Sequence, residues 1–344
     1  MPDSRPFRLD APLAFASLEE IPALARRLER LGFEGAWTQE GVHDPFLPLA
    51  AAAPTTLRIT LGTAVALAFP RSPMVTAYMA WDLQRASRGR FILGLGTQVR
   101  GHIERRFSAA WSSPGPRLRE VVLALRAIWE CWQHRTPLDF RGEYYGFTLM
   151  PPAFVPDPLP WFPIPVYLAG VNAYNCRLAG EVADGLHVHP FHTAPYLRDV
   201  ITPQVEEGLR RSGRGRGSFT VAVTAFVAAG ATARAVARQR EDVRAQVAFY
   251  ASTRTYRPVM DLHGWGDAAE RLRKLSLEGS WEAMPHEITD AMVEEMAIVG
   301  REEEVVPRLA ARYGGLADRI VPYPIGTRGD RERLLRLLAR EVAA

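Results

Sequence analysis

The chain has 344 residues, 47% of them hydrophobic and 23% charged, which describes a globular protein long enough for a substantial core. Its 42 basic and 38 acidic residues nearly cancel to +4, and the basic balance is carried by arginine, with Lys274 as the lone lysine, so no broad nucleic-acid surface is expected. Two cysteines, Cys131 and Cys176, exclude a disulfide framework; with no signal-peptide core in residues 1–16 and no bilayer-length apolar run, a cytoplasmic protein without a membrane partner is expected.

Residues 7–15 read as a first strand. Ser17 and Glu20 have capping-box spacing, and Ile21, Leu24, Leu28 and Leu31 recur at helical spacing up to Gly32. A short apolar strand is predicted at 34–38, a short helix at 46–53 and a β-branched strand at 57–67. Residues 73–88 predict a helix burying Met74, Ala77, Tyr78, Trp81 and Leu83, and FILGLG (91–96) a fourth strand. A helix over 117–133 sets Leu118, Val121, Val122, Leu125, Ile128, Trp129 and Trp132 on one face, with Cys131 between the last two.

Residues 134–163 break this rhythm with many prolines and the hairpin-like LDFRGEYYGFTL. It resumes with a strand at 164–170, a helix at 172–181, a strand opening GLHVHP, and a helix near 195–211. RRSGRGRG (210–217) reads as a solvated turn: three glycines break the helix and no aromatic residue interleaves the arginines. A strand at 219–229 follows, then helices at 232–250 and 267–276, a helix at 301–313 closed by Gly314 and Gly315, and an eighth strand in DRIVPYP. Eight strand–helix units predict an α/β fold, a (β/α)8 TIM barrel forming one domain over 1–344, with insertions near 98–116, 134–163 and 252–298. A doubly wound sheet is the rival fold, but the glycine fingerprint it carries after strand 1 is missing.

In such a barrel, chemistry belongs at the C-terminal ends of the strands. Strand 2 ends in TQEGVHDP, with Gln39, Glu40, His43 and Asp44; strand 4 in GTQVRGH, with Thr97, Gln98, Arg100 and His102; strand 5 in AGVNAYN, with Gly170, Asn172 and Asn175. Strand 6 ends in GLHVHPFH, where His187, His189 and His192 crowd together as metal ligands or as packed rim residues. A metal hydrolase would add His43, Asp44 and His102, yet no HExxH and no second dense cluster occurs, so no metal is expected. Gly170 and a helix beginning near Asn172 read either as an anion grip or as an ordinary turn. GLGTQVRG lacks the third glycine of a dinucleotide loop, and G-x-S-x-G is absent.

Three stretches, GFEGAWTQEGVHDPFLPL, RITLGTAVALAFPRSPMVTAYMAWDLQRASRGRFILGLGTQVRGHIERRF and RLAGEVADGLHVHPF, resemble the luciferase-like monooxygenase superfamily over nearly the whole chain. Within it, the sequence is most similar to oxidoreductases using the deazaflavin coenzyme F420. The resemblance implies a non-proline cis peptide at Ala64–Val65 beneath the cofactor ring, and Thr97 and Gln98 at its pyrimidine edge. It implies a phosphate turn of Gly170, Val171 and Asn172, and a further pocket wall at His187 and Val188. His102 stands among the cofactor-side residues after strand 4, where some relatives carry acidic or asparagine residues. His43 matches a position near the reacting carbon, as general acid/base assisted by Glu40 or Gln39; a structural hydrogen bond to the loop is the alternative. Arg100, Arg105 and Arg106 would meet the acidic tail of the coenzyme. Trp111, Phe140, Tyr144, Tyr145 and Trp265 line a substrate pocket or pack in the core. The implied function is hydride transfer between F420 and a small organic substrate, by a homodimer. The alternatives are a flavin mononucleotide (FMN) monooxygenase using oxygen and a non-catalytic cofactor-binding protein.

Overall fold

Eight parallel strands close on themselves in the computed structural model, which describes residues 7–14, 17–325 and 327–343. They are β1 (Arg8–Pro12), β2 (Gly35–Thr38), β3 (Thr60–Thr63), β4 (Phe91–Gly96), β5 (Val166–Gly170), β6 (Gly185–Val188), β7 (Thr220–Gly230) and β8 (Arg319–Pro324). Neighbours pair in chain order, and β8 returns to β1 with Leu9 opposite Ile320, which closes the barrel. Phe15, predicted at the end of the first strand, lies outside the described residues.

The outer layer is made by α1 (Ile21–Arg30), α2 (Leu47–Ala52), α3 (Pro73–Ala86), α4 (Pro114–His134), α5 (Ala173–Val182), α6 (Thr202–Arg211), α7 (Ala233–Ala251) and α8 (Arg328–Ala343). Ser17 caps through Glu19 N–H and opens a single 3-10 turn, after which α1 begins. Ser72 accepts from Met74 N–H, and Pro73 occupies the first helical position of α3, where its missing N–H costs nothing. All seven predicted apolar residues of α4 are buried, each fully buried aliphatic side chain contributing about 1.5–3 kcal/mol. Met74 and Tyr78 are only half-buried, because α3 turns the smaller Thr76, Ala77 and Ala80 inward.

The 134–163 excursion does contain a hairpin, Phe140–Arg141 with Gly146–Phe147. Its turn is pinned to α4: the Glu120 carboxylate accepts the N–H groups of Glu143, Tyr144 and Tyr145 at 2.8, 2.8 and 2.6 Å. The 252–298 segment holds the short helices Arg257–Leu262, Gly266–Glu278 and Asp290–Met296. The short helices Arg100–Arg105, Arg257–Leu262 and Asp290–Met296 were not predicted, nor were a further strand and the last helix. A strand at Ala297–Arg301 pairs with the far end of β7, Phe226–Gly230, outside the ring. The helix α8 follows the last barrel strand.

Candidate active site

Strand alternation decides what fills the barrel. Asp10, Gly35, Trp37, Gly62, Ile92, Gly94, Tyr167, His187, Ala222, Arg319 and Val321 occupy inward registers. At the N-terminal end, Arg319 grips Asp10 through Nε and Nη2 at 2.7 and 2.8 Å, and Trp37 Nε1 donates to Asp10 Oδ2 at 2.8 Å. Trp37 can lie across the lumen because position 62 is glycine: a Cβ there would stand 2.4 Å from its ring. His187 completes this layer, 4.8 Å from Trp37 and 5.3 Å from Tyr167, centroid to centroid.

The next inward layer opens to solvent. Pro12, Ala64, Ala169, Thr224 and Tyr323 are half-exposed and Gln39 is exposed, although all continue inward registers. Ala64, Gly96 and Ala169 make one side of this mouth a nearly side-chain-free floor. The Ala64–Val65 peptide is cis. Val65 leans over Gly96, where a Cβ would fall 2.7 Å from its Cγ2. Flat aromatic ligands suit such a surface, and the lumen residues beneath prevent it from being a through-pore.

The loops after β2, β3 and β4 are tied together. Glu40 N–H donates to Val65 O at 3.1 Å, and its carboxylate accepts from Leu67 N–H and Arg71 Nη1 at 2.7 and 2.8 Å. Arg71 reaches Asp44 with its other nitrogen, at 3.1 Å. Arg106 Nη2 donates to Gly41 O at 2.5 Å. This network holds the loop that carries exposed His43 at the mouth's edge. The Glu40 carboxylate thus ties the loop to the residues after β3. Of the three arginines after β4, Arg100 pairs with Glu104 and Arg106 with the β2 loop, while Arg105 has no polar partner among the described residues. Thr97 and Gln98 are half-exposed on the turn leaving β4, Gln98 in the left-handed region at φ 56° with its Oε1 accepting Val99 N–H. His102 is exposed on the short helix Arg100–Arg105.

At the end of β5, Asn172 caps α5 by accepting Asn175 N–H at 2.9 Å, and the amides of Ala173 and Tyr174 in that first turn have no helical acceptor. This is a donor set suited to an anion. The Val171 side chain is buried and its carbonyl is taken by Tyr196 Oη at 3.0 Å.

The three histidines have three different environments. His187, expected in the pocket wall, is 4% exposed and lies one layer beneath the mouth; neither of its ring nitrogens has a hydrogen-bond partner among the described residues. Burial, reinforced by Arg319, drives its pKa down to about 3. Val188 faces outward and is buried against the helices. His189, half-buried and two residues on, stands one layer higher, at the mouth. Its Nδ1 accepts Phe191 N–H at 3.1 Å, its Nε2 lies 3.0 Å from Tyr256 Oη, and its ring stacks on Tyr256. Burial and nearby His192 hold its pKa at about 3. His192 is fully buried and donates from Nδ1 to His189 O at 2.8 Å. No group of three or more metal-ligating side chains converges among the described residues. The signal for His189 was present in the sequence as its inward register with His187; its partner Tyr256 lies 67 residues away and carried none.

Chemically, the mouth combines a flat floor, a set of helix N–H donors, a histidine on a braced loop and a tyrosine-rich wall. A sequence profile described as luciferase-like monooxygenase matches residues 4–319. An uncharacterized protein of Mycobacterium tuberculosis is 48% identical over 296 residues, 86% of this chain and 87% of that one. An F420-dependent glucose-6-phosphate dehydrogenase of Intrasporangium calvum is 34% identical over 208 residues, 55% of this chain and 59% of that one. The solved coenzyme F420-dependent tetrahydromethanopterin reductase of Methanopyrus kandleri superposes with a TM-score of 0.78 at 22% identity, covering 99% of both chains. The profile match and the 48% relative together place this chain in the luciferase-like monooxygenase family.

Proposed function

We propose that the chain binds coenzyme F420 at the mouth of the barrel and transfers a hydride between it and a small organic molecule. The observation that carries this reading is the meeting, at one mouth, of the floor made by Ala64, Gly96 and Ala169 with the donor turn Gly170–Val171–Asn172. A flat ring fits the first and a phosphate the second. The F420-dependent relative favours the deazaflavin over FMN. When bound, the coenzyme supplies a ring carbon that carries the hydride.

The residues of the chain divide the remaining work. Thr97 and Gln98 hydrogen-bond the ring edge, and the amides opening α5 hold the phosphate. Trp37, His187 and Val188 support the floor from below and behind. Arg105 meets the acidic tail, with His102 on the same short helix beside it. His43, on its braced loop beside Gln39, holds or accepts the proton that accompanies hydride transfer. Glu40 positions that loop through Arg71.

A paired titration of the purified chain with F420 and with FMN, read by tryptophan fluorescence, tests this. Trp37 directly beneath the floor is the reporter. Tight binding of F420 alone is expected. Preference for FMN would overturn the cofactor assignment, and binding of neither would overturn the pocket.

A further inference from the structure

One wall of the mouth has a hydrogen left over. His189 Nδ1 accepts the Phe191 N–H, so it carries no proton in the neutral ring. The proton then sits on Nε2, and at 3.0 Å Nε2–H donates to Tyr256 Oη. Tyr256 is thus the acceptor in this pair, and its own hydroxyl hydrogen points elsewhere. No second partner for that hydroxyl exists among the described residues. The ring itself is held firmly: it stacks on His189 with centroids 4.6 Å apart, and Tyr250 meets it edge-on at 5.7 Å. Tyr256 comes from the insertion after α7, and His189 continues the inward register of β6. The pair therefore stands over the mouth, on the β6–β7 side. The floor residues Ala64 and Gly96 lie just past β3 and at the end of β4, across the ring.

We infer that Tyr256 is a substrate-contacting hydrogen-bond donor, held in its donor role by the positioning residue His189, and that the substrate carries an accepting oxygen, a carbonyl or hydroxyl, at the carbon that exchanges hydride. The inference rests on the F420 reading above. Its logic is that of a preorganised donor: the Nε2–H on the phenol oxygen offsets charge drawn toward it when its O–H is donated. His189 is suited to this because it stays neutral, with its pKa near 3, and so keeps one fixed tautomer through the physiological range.

The test uses the full chain loaded with F420, cyclohexanone as the oxygen-bearing probe and methylenecyclohexane as its apolar isostere, with dissociation constants from saturation-transfer NMR. F420 affinity of the unaltered chain is measured first. Its absence would overturn the F420 reading itself and is thereby distinguished from failure of the present inference. Given F420 binding, Tyr256→Phe should leave the chain folded and its F420 affinity unchanged, weaken cyclohexanone about tenfold, and leave methylenecyclohexane unaffected. His189→Phe keeps the ring stack but removes the donor; it should weaken cyclohexanone about threefold, and the double variant should lose no more than Tyr256→Phe alone. Nitrogen-15 shifts of labelled histidine should show the Nε2–H tautomer at His189. Equal ketone affinity in Tyr256→Phe, equal losses for ketone and isostere, a fall in F420 affinity alone, or an Nδ1–H tautomer would each overturn the inference.

Discussion

Asp10 and Arg319, 309 residues apart in the chain, face each other inside the barrel in a two-pronged ion pair, with side chains 0% and 2% exposed. They join the first strand to the last, and Trp37 shares the carboxylate. Removing one partner strands the other charge in a low-dielectric lumen. Asp10→Asn should cost ~3–5 kcal/mol in urea unfolding. A paired Asp10→Leu/Arg319→Met chain should recover part of that loss: replacing both charges with apolar groups removes their desolvation cost, while the Trp37 indole N–H is left without its acceptor.

Gly94 faces the lumen where Thr63 and His187 converge. A Cβ there would stand 1.8 Å from the Thr63 carbonyl oxygen and 2.9 Å from His187 Nε2. The first neighbour is backbone and cannot swing away. Gly94→Ala should lose more than ~3 kcal/mol, or leave no soluble protein, checked by urea titration of whatever folds.

Three histidines held neutral by the fold make stability fall with acid. Burial lowers His187 and His189 to about 3 and His192 to about 4. The unfolded chain binds their protons near the ordinary value of ~6.5, whereas the folded chain does not. Stability from these groups is therefore fully present above pH ~6.5 and is lost as pH falls toward 4, at ~2 kcal/mol per histidine by pH 5. Urea midpoints between pH 7.5 and 4.5 should show proton uptake on unfolding, and His187→Gln should reduce that uptake by one proton.

His43 and Glu40 sit on one loop and should behave differently. His43→Ala should lower kcat/KM by ~10²-fold or more while F420 affinity is retained. Glu40→Gln weakens the grip on Arg71 and Leu67. It should cost ~1–3 kcal/mol of stability and weaken F420 binding, with the surviving kcat near its original value. Equal kinetic behaviour of the two variants would remove the distinction between chemistry and loop bracing.

The barrel was legible in the chain because strand and helix periods alternate locally: FILGLG matches β4 residue for residue, and the apolar stripe of α4 is buried as its 3.6-residue spacing required. Ala297–Arg301 was not, since AIVGR is a short apolar run that becomes a strand only through the free upper half of β7. Likewise GLHVHPFH announced three histidines without ranking them. A single residue of register separates the lumen from the helix layer, and two residues separate the buried lumen layer from the open mouth. By itself the sequence determined which residues stand at strand ends, because that follows from local period and residue type. Tertiary structure alone decided that His187 is packed, that His189 meets Tyr256, and that Asp10 finds Arg319, because ring closure brings together groups that no local spacing relates.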